Sequence, residues 1–177
     1  NNESTQMIPD LHIQHLDKAL HDRTDFDCGV SALNGYLATQ ARKEQESGCC
    51  VCFVASESAD SKRVMGYYTL SSASIKRTAL DGKLTKKLPR YNDLPATLLG
   101  RLAVNQEFQG QGLGGRLLLS AMSRAYQASQ EVASWALVTD PKDASARAFY
   151  EKFGFLELDK QRMFLPMKEV ESVVNAL

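Results

Sequence analysis

Hydrophobic positions first recur at helical spacing near the start of the chain. Leu33, Tyr36, Leu37 and Ala41, with polar residues such as Gln40 between them, predict an amphipathic helix over residues 31–46, after the Phe26-Asp27-Cys28-Gly29 segment. The period then shortens. Residues 50–55 and 64–72 read as strands joined by the polar turn 56–63, which predicts an antiparallel hairpin. Residues 75–95 carry no clear period. Gly82, Pro89, Pro95 and a high density of Lys and Arg predict a long excursion there, with room for one short helix. A strongly apolar strand follows at 97–104, then a turn, a glycine-rich loop and a helix at 114–129 with the apolar stripe Leu117, Leu118, Ala121, Met122 and Ala125. Residues 133–139 are almost continuously apolar, as expected of a parallel strand covered on both faces. Asp143 is placed to cap a helix running through Phe149 and Tyr150 to Lys152, and Gly154 to end it. Strands at 155–158 and 162–167 close the pattern. With no internal repeat, linker or low-complexity segment, the reading is a single mixed α/β domain over 1–177.

The bulk numbers agree with that reading and narrow it. A chain of 177 residues can bury one core without disulfides or a structural metal. Its 21 basic and 21 acidic residues cancel, so a nucleic-acid or membrane partner would have to be met by a local patch. Residues 1–10 are polar and lack the basic-then-apolar order of a signal peptide, and no apolar run approaches the roughly 20 residues that span a bilayer. A cytoplasmic protein is expected. Three of the four cysteines, Cys49, Cys50 and Cys52, crowd into one apolar segment, but no second pair or nearby histidine completes a four-ligand set. They read as small hydrophobes, and no metal site is expected.

The densest chemical signal is Gln109-Gly110-Gln111-Gly112-Leu113-Gly114-Gly115, set between a strand and a helix. Four glycines in seven residues remove the β-carbons that would screen the backbone N–H groups, so those donors can converge on an anion at a positive helix N-terminus. Gly110, Gly112 and Gly115 also spell the Gly-x-Gly-x-x-Gly pattern of dinucleotide-binding enzymes. That fold begins with the strand feeding its first glycine almost directly, and here a turn intervenes and only 62 residues follow Gly115, too few for a doubly wound sheet. No Gly-Lys-Ser/Thr ends the loop, which excludes a nucleotide-hydrolysing P-loop.

The glycine loop after an apolar strand, followed some forty residues on by Ala148-Phe149-Tyr150-Glu151-Lys152-Phe153-Gly154-Phe155, resembles the GCN5-related N-acetyltransferase (GNAT) superfamily. Upstream, Phe26-Asp27-Cys28-Gly29, Leu33, Tyr36, Leu37 and Phe53-Val54, together with residues 99–104, resemble the acetyltransferase toxins of toxin–antitoxin pairs. The resemblance implies a mixed central sheet flanked by helices, with a bulged central strand leading into a pyrophosphate-binding loop and helix. It implies acetyl-CoA as the acetyl donor, with Leu102, Ala103 and Val104 holding the pantetheine arm and Gln109, Gly110, Gln111, Gly112, Leu113, Gly114 and Gly115 binding the pyrophosphate. Tyr150 would be the general acid. Many relatives carry Arg where this chain has Gln109, so the cradle would lean on backbone donors, with Arg116 as a supplementary charge. The toxin likeness further implies aminoacyl-tRNA as acceptor, translation inhibition, a small DNA-binding antitoxin of ribbon-helix-helix type, and a homodimer.

The chemistry is compatible with that role. Tyrosine, with an ordinary pKa near 10 against about 8.5 for a thiol, is protonated at neutral pH and can supply the proton that a departing thiolate needs. The three histidines, His12, His15 and His21, all precede the cofactor motifs, so local sequence suggests no dedicated base. An α-amine, with a pKa of about 7.7 to 8.0, tolerates that absence better than a lysine near 10.4. Lys76, Arg77, Lys83, Lys86, Lys87 and Arg90 place six cations beside one acid, Asp81, in fifteen residues. Such a cluster reads as a solvated loop by itself and as an RNA-binding surface beside the toxin likeness. Two rivals remain at this stage: an acetyltransferase acting on a small amine or a protein N-terminus, and a non-catalytic RNA- or partner-binding module.

Overall fold

A computed structural model describes residues 11–177. The polar segment 1–10, on which the absence of a signal peptide was argued, lies outside the described residues. Seven strands form one sheet: β1 (His12–His15), β2 (Val51–Ser56), β3 (Gly66–Lys76), β4 (Asp93–Val104), β5 (Ala136–Thr139), β6 (Leu156–Glu157) and β7 (Met163–Pro166), in the order β1-β2-β3-β4-β5-β7-β6. The helices are α1 (Ser31–Thr39), α2 (Ala41–Glu46), α3 (Gly82–Thr85), α4 (Leu113–Ser129), α5 (Ala144–Lys152) and α6 (Met167–Asn175). β4 and β5 are parallel, while β1–β2, β5–β7 and β6–β7 are antiparallel. The mixed α/β class expected from the sequence is the class observed.

The chain divides into two compact units, one reaching to Tyr68 and including Leu102–Leu118, the other made of Thr69–Arg101 and Leu119–Leu177. The core of the first gathers Phe26, Tyr36, Leu37, Cys52, Tyr67 and Ala103. Its helix is not the continuous one that the spacing predicts. Gln40, at φ −114°, separates α1 from α2, and the Thr39 hydroxyl donates to the Gly35 carbonyl at 2.7 Å, the kind of local bond that competes with a regular helix. The break leaves Leu37 and Ala41 both fully buried. It also brings Gln45 between two backbone segments: its side chain donates to the Leu16 carbonyl and accepts from the Cys52 amide, each at 2.9 Å. β1 was not foreseen, because four half-buried or exposed residues with a histidine at either end carry little apolar pattern.

In the second unit Ile75, Leu94, Ala96, Ala136, Val138 and Phe164 share a core. β3 runs on to Lys76 and β4 starts at Asp93, so the irregular excursion is shorter than expected. Ser74 and Lys76 had masked the strand's continuation beyond Ser72. The excursion holds a 3-10 turn (Arg77–Ala79) and α3, whose first turn is capped by Asp81 accepting from the Lys83 amide at 2.9 Å. The expectation that strands close the chain needs correction, since α6 follows β7. Met167, Val170, Val173 and Val174 had the helical period, and Met167 and Val170 are buried. Among the described residues, no helix is long and apolar enough to cross a membrane.

Candidate active site

The end of β4 and the glycine loop form a continuous piece of the first unit. β4 pairs with β5 from Ala96 to Leu99 and continues to Val104, carrying Leu102, Ala103 and Val104 beyond that ladder. Ala103 is buried, and Leu102 and Val104 are half-buried. Gly66 of β3 lets the segment come close, because a β-carbon there would lie 2.9 Å from the Ala103 carbonyl oxygen and 2.8 Å from Leu117 Cδ1. Buried Asn105 then turns the chain: its amide donates to the Met65 carbonyl at 2.8 Å, and its side-chain oxygen accepts from the Glu107 amide at 3.2 Å, starting a 3-10 turn over Gln106–Phe108.

Gln109 performs a structural task that its motif position did not reveal. Its side-chain amide donates to the Val104 carbonyl at 2.9 Å and to the Cys28 carbonyl at 3.0 Å. Gly110 and Gly112 follow in the left-handed region, at φ +77° and +79°, where other residues are strained. Residues 109–112 are exposed, whereas Leu113 is buried and begins the 17-residue α4, so Gly114, Gly115 and Arg116 belong to that helix's first turn. An exposed left-handed loop feeding a long helix N-terminus is the arrangement that binds diphosphates through main-chain N–H groups.

Tyr150 belongs to the second unit. Asp143 caps α5, accepting from the Ala146 amide at 2.8 Å. Tyr150 is only 6% exposed, with the Phe149 and Phe155 rings edge-on at 5.1 and 5.3 Å. Burial pushes its phenol above the ordinary value, and a hydrogen bond with the Thr139 hydroxyl pulls weakly the other way. The group is therefore protonated at neutral pH, as a proton donor must be. Thr139 itself was missed at the sequence level. It ends an apolar strand, and nothing in the pattern distinguishes it from a core residue.

Four of the six expected RNA-binding cations line one cavity of about 940 Å³: Lys76, Arg77, Lys86 and Arg90, together with Thr78, Leu80, Thr85, Leu88 and Asn92. No acidic residue lines it. Lys83 and Lys87 are exposed and stand outside it. Arg77 is fixed by donating to the Thr85 carbonyl at 2.6 Å, and its buried Nε has no hydrogen-bond partner among the described residues. Lys76 pairs with Asp93 at 2.6 Å. His12 and His21 are instead bridged by Gln14, at 3.1 and 3.2 Å, in the first unit.

Residues 48–157 match the family model for the acetyltransferase (GNAT) domain. The chain belongs to that family. A tRNA-acetylating toxin of Mycobacterium tuberculosis (strain ATCC 25618 / H37Rv) is 33% identical to this acetyltransferase over 156 residues, 87% of this chain and 91% of the toxin. Among solved structures, AtaT complexed with acetyl-methionyl-tRNAfMet has a TM-score of 0.85 at 32% identity, covering 93% of this acetyltransferase and 99% of AtaT. A tyrosine-to-phenylalanine variant of AtaT, bound to acetyl-CoA and the C-terminus of the antitoxin AtaR, has a TM-score of 0.80 at 29% identity, covering 94% and 99%. The GNAT resemblance read from the two motifs is thus the family the chain belongs to, and the upstream toxin likeness agrees with these relatives.

Proposed function

We propose that this acetyltransferase moves the acetyl group of acetyl-CoA to the α-amine of aminoacyl-tRNA, blocking translation, and that a small DNA-binding antitoxin of ribbon-helix-helix type restrains it. The observation that carries the RNA half is the acid-free cavity ringed by Lys76, Arg77, Lys86 and Arg90. A cationic polyamine acceptor would be repelled there, whereas phosphates would be held. The cofactor half rests on the exposed loop at 109–112 leading into α4. Antitoxin restraint is supported by the AtaT–AtaR relative. The chain acts as one acetyltransferase domain in the cytoplasm, as a homodimer.

Acetyl-CoA supplies an activated thioester. Main-chain N–H groups of residues 110–115 hold its diphosphate, and Leu102, Ala103 and Val104 of β4 hold the pantetheine arm. The neutral amine nitrogen attacks the thioester carbonyl, a C–N bond forms and the C–S bond breaks. Tyr150 gives its phenolic proton to the departing sulfur, and the proton lost by the amine restores the phenol through solvent. The α-amine suits a site without a dedicated base, because at neutral pH an appreciable share of it is already unprotonated.

Incubation with labelled acetyl-CoA and total charged tRNA tests the proposal. Label should enter the RNA fraction at the aminoacyl end and be released with the amino acid on mild alkaline hydrolysis. Label found only in proteins or small amines would reject aminoacyl-tRNA as the substrate.

A further inference from the structure

The Phe26-Asp27-Cys28-Gly29 segment has no place in the chemistry above, yet it touches the loop's entrance at two points. The Asp27 carbonyl accepts from the Gln106 amide at 2.8 Å, and the Cys28 carbonyl accepts from the Gln109 side chain at 3.0 Å. The turn that presents these carbonyls is cross-braced internally. Asp27 Oδ1 accepts from the Gly29 amide at 2.8 Å and from Asn34 Nδ2 at 2.9 Å, while Asn34 Oδ1 accepts from the Cys28 amide at 2.8 Å. Gly29 stands at φ +86°, and a β-carbon on it would lie 2.6 Å from Gln106 Nε2. The turn is thus shaped to lie against residue 106 without a side chain intervening.

Three hydrogen-bonded anchors set the path from the end of β4 to the first left-handed glycine: Asn105 to Met65, Gln106 to Asp27, and Gln109 to Val104 and Cys28. The 27–28 carbonyls serve two of the three. Fixing the entrance fixes where the amides of 110–112 point, and a site held in its bound shape saves the ordering cost at binding.

We infer that the 27–29 turn, locked by Asn34, is a positioning element of the diphosphate loop, holding Gln106 and Gln109 so that the loop is preset for coenzyme A. This rests on the cofactor role proposed above for residues 110–115. Asp27, Gly29 and Asn34 touch no substrate in this role. They act through Gln106 and Gln109, and their loss should register in donor binding and leave the chemical step alone.

The test compares two donors, acetyl-CoA and S-acetylpantetheine, the second lacking the diphosphate. Asn34→Ala and Asp27→Ala should raise the KM for acetyl-CoA roughly tenfold with kcat unchanged, the size expected from losing one or two braces. Asp27→Asn, which keeps an acceptor oxygen, should restore a near wild-type KM. With S-acetylpantetheine all three should match the wild type. Equal losses with both donors, or an unchanged KM for acetyl-CoA, would overturn the inference. Wild-type protein that binds no acetyl-CoA in a calorimeter would overturn the cofactor reading itself, and this inference with it. Should Asn34→Ala melt below the assay temperature, Gly29→Ala gives the same comparison, because it removes no hydrogen bond, straining the backbone at φ +86° and crowding Gln106 instead.

Discussion

The Thr139 hydroxyl hydrogen-bonds the phenol of Tyr150 and lies 3.3 Å from the Leu99 carbonyl oxygen, so a residue of α5 is tied to the last paired position of β4 through the end of β5. The proton donor proposed for the reaction is therefore held by a strand terminus as well as by its aromatic neighbours.

Tyr150→Phe keeps the ring between Phe149 and Phe155 and removes only the hydroxyl. Acetylation of charged tRNA should fall by about 10² to 10⁴ in kcat, the usual worth of a positioned general acid. Acetyl-CoA affinity by calorimetry should stay within about threefold, and thermal stability within about 1 kcal/mol, one hydrogen bond's net contribution. A variant retaining more than a tenth of wild-type kcat would mean the proton comes from elsewhere.

The same burial predicts an alkaline signature. The folded-state pKa of Tyr150 is raised, chiefly by desolvation, so the unfolded chain loses this proton first as pH increases. The stabilising contribution is complete below about pH 10, the ordinary tyrosine value, and is lost as pH climbs through the folded value. Thermal midpoints measured from about pH 9 to 11 should therefore drop more steeply for the wild type than for Tyr150→Phe. Parallel curves would show that the phenol is not buried as described.

Legibility in the sequence followed the density of apolar signal. β5 was read with its parallel role because all four of its residues are buried, and α4 because its stripe kept a 3.6-residue period. The loop was read from glycines that really do occupy the left-handed region, at 110 and 112. What escaped was set by long-range partners. β1 exists because it pairs with β2 from His12↔Ser56 to His15↔Phe53, and no local pattern announces an edge strand of four residues. The Gln109 side chain spans 81 residues of sequence to reach the Cys28 carbonyl, a bond that its motif position does not announce. The basic excursion named six cations, but only folding decides that four of them share a cavity.

His21 supplies an acid-side counterpart. It is 4% exposed, and burial lowers its pKa more than the nearby Asp17 carboxylate raises it, with His12 adding to the lowering. Its Nδ1 accepts from the Asp17 amide at 3.0 Å, a bond that a proton on that nitrogen would break. Because the folded pKa is depressed, the contribution is present above about pH 6.5 and is lost as pH falls through the folded value. His21→Asn, which can keep an acceptor toward the Asp17 amide, should show a flatter decline in melting temperature between about pH 7 and 5 than the wild type. An identical decline would place the acid sensitivity at other groups.

Gly110 tests whether the loop's backbone path matters for the cofactor. A β-carbon there meets nothing within 4 Å, so Gly110→Ala is a strain experiment only, costing about 1 kcal/mol at φ +77°. Gly48, at φ +79° with equally open surroundings, lies in the turn after α2 and serves as the matched control. Both alanine variants should lose similar thermal stability, but only Gly110→Ala should weaken acetyl-CoA binding, by roughly three- to tenfold. Equal affinities in the two variants would remove the loop from the binding site.

The cavity between Lys76 and Arg90 separates an RNA-binding surface from a merely basic loop. Lys86 and Arg90 line it, whereas Lys83 and Lys87 belong to the same stretch, carry the same charge and do not. If phosphates sit in the cavity, Lys86→Glu and Arg90→Glu should raise the KM for charged tRNA, and each lost phosphate contact should lower the slope of log affinity against log salt by about 0.7 to 0.9. The matched reversals Lys83→Glu and Lys87→Glu change net charge equally and should move affinity much less, with the slope nearly intact. kcat at saturating tRNA and the KM for acetyl-CoA should be unchanged in all four, because none belongs to the loop or to Tyr150. Four equal effects would instead mean that diffuse charge draws the RNA, and that the cavity lined by Arg77 holds no particular phosphate.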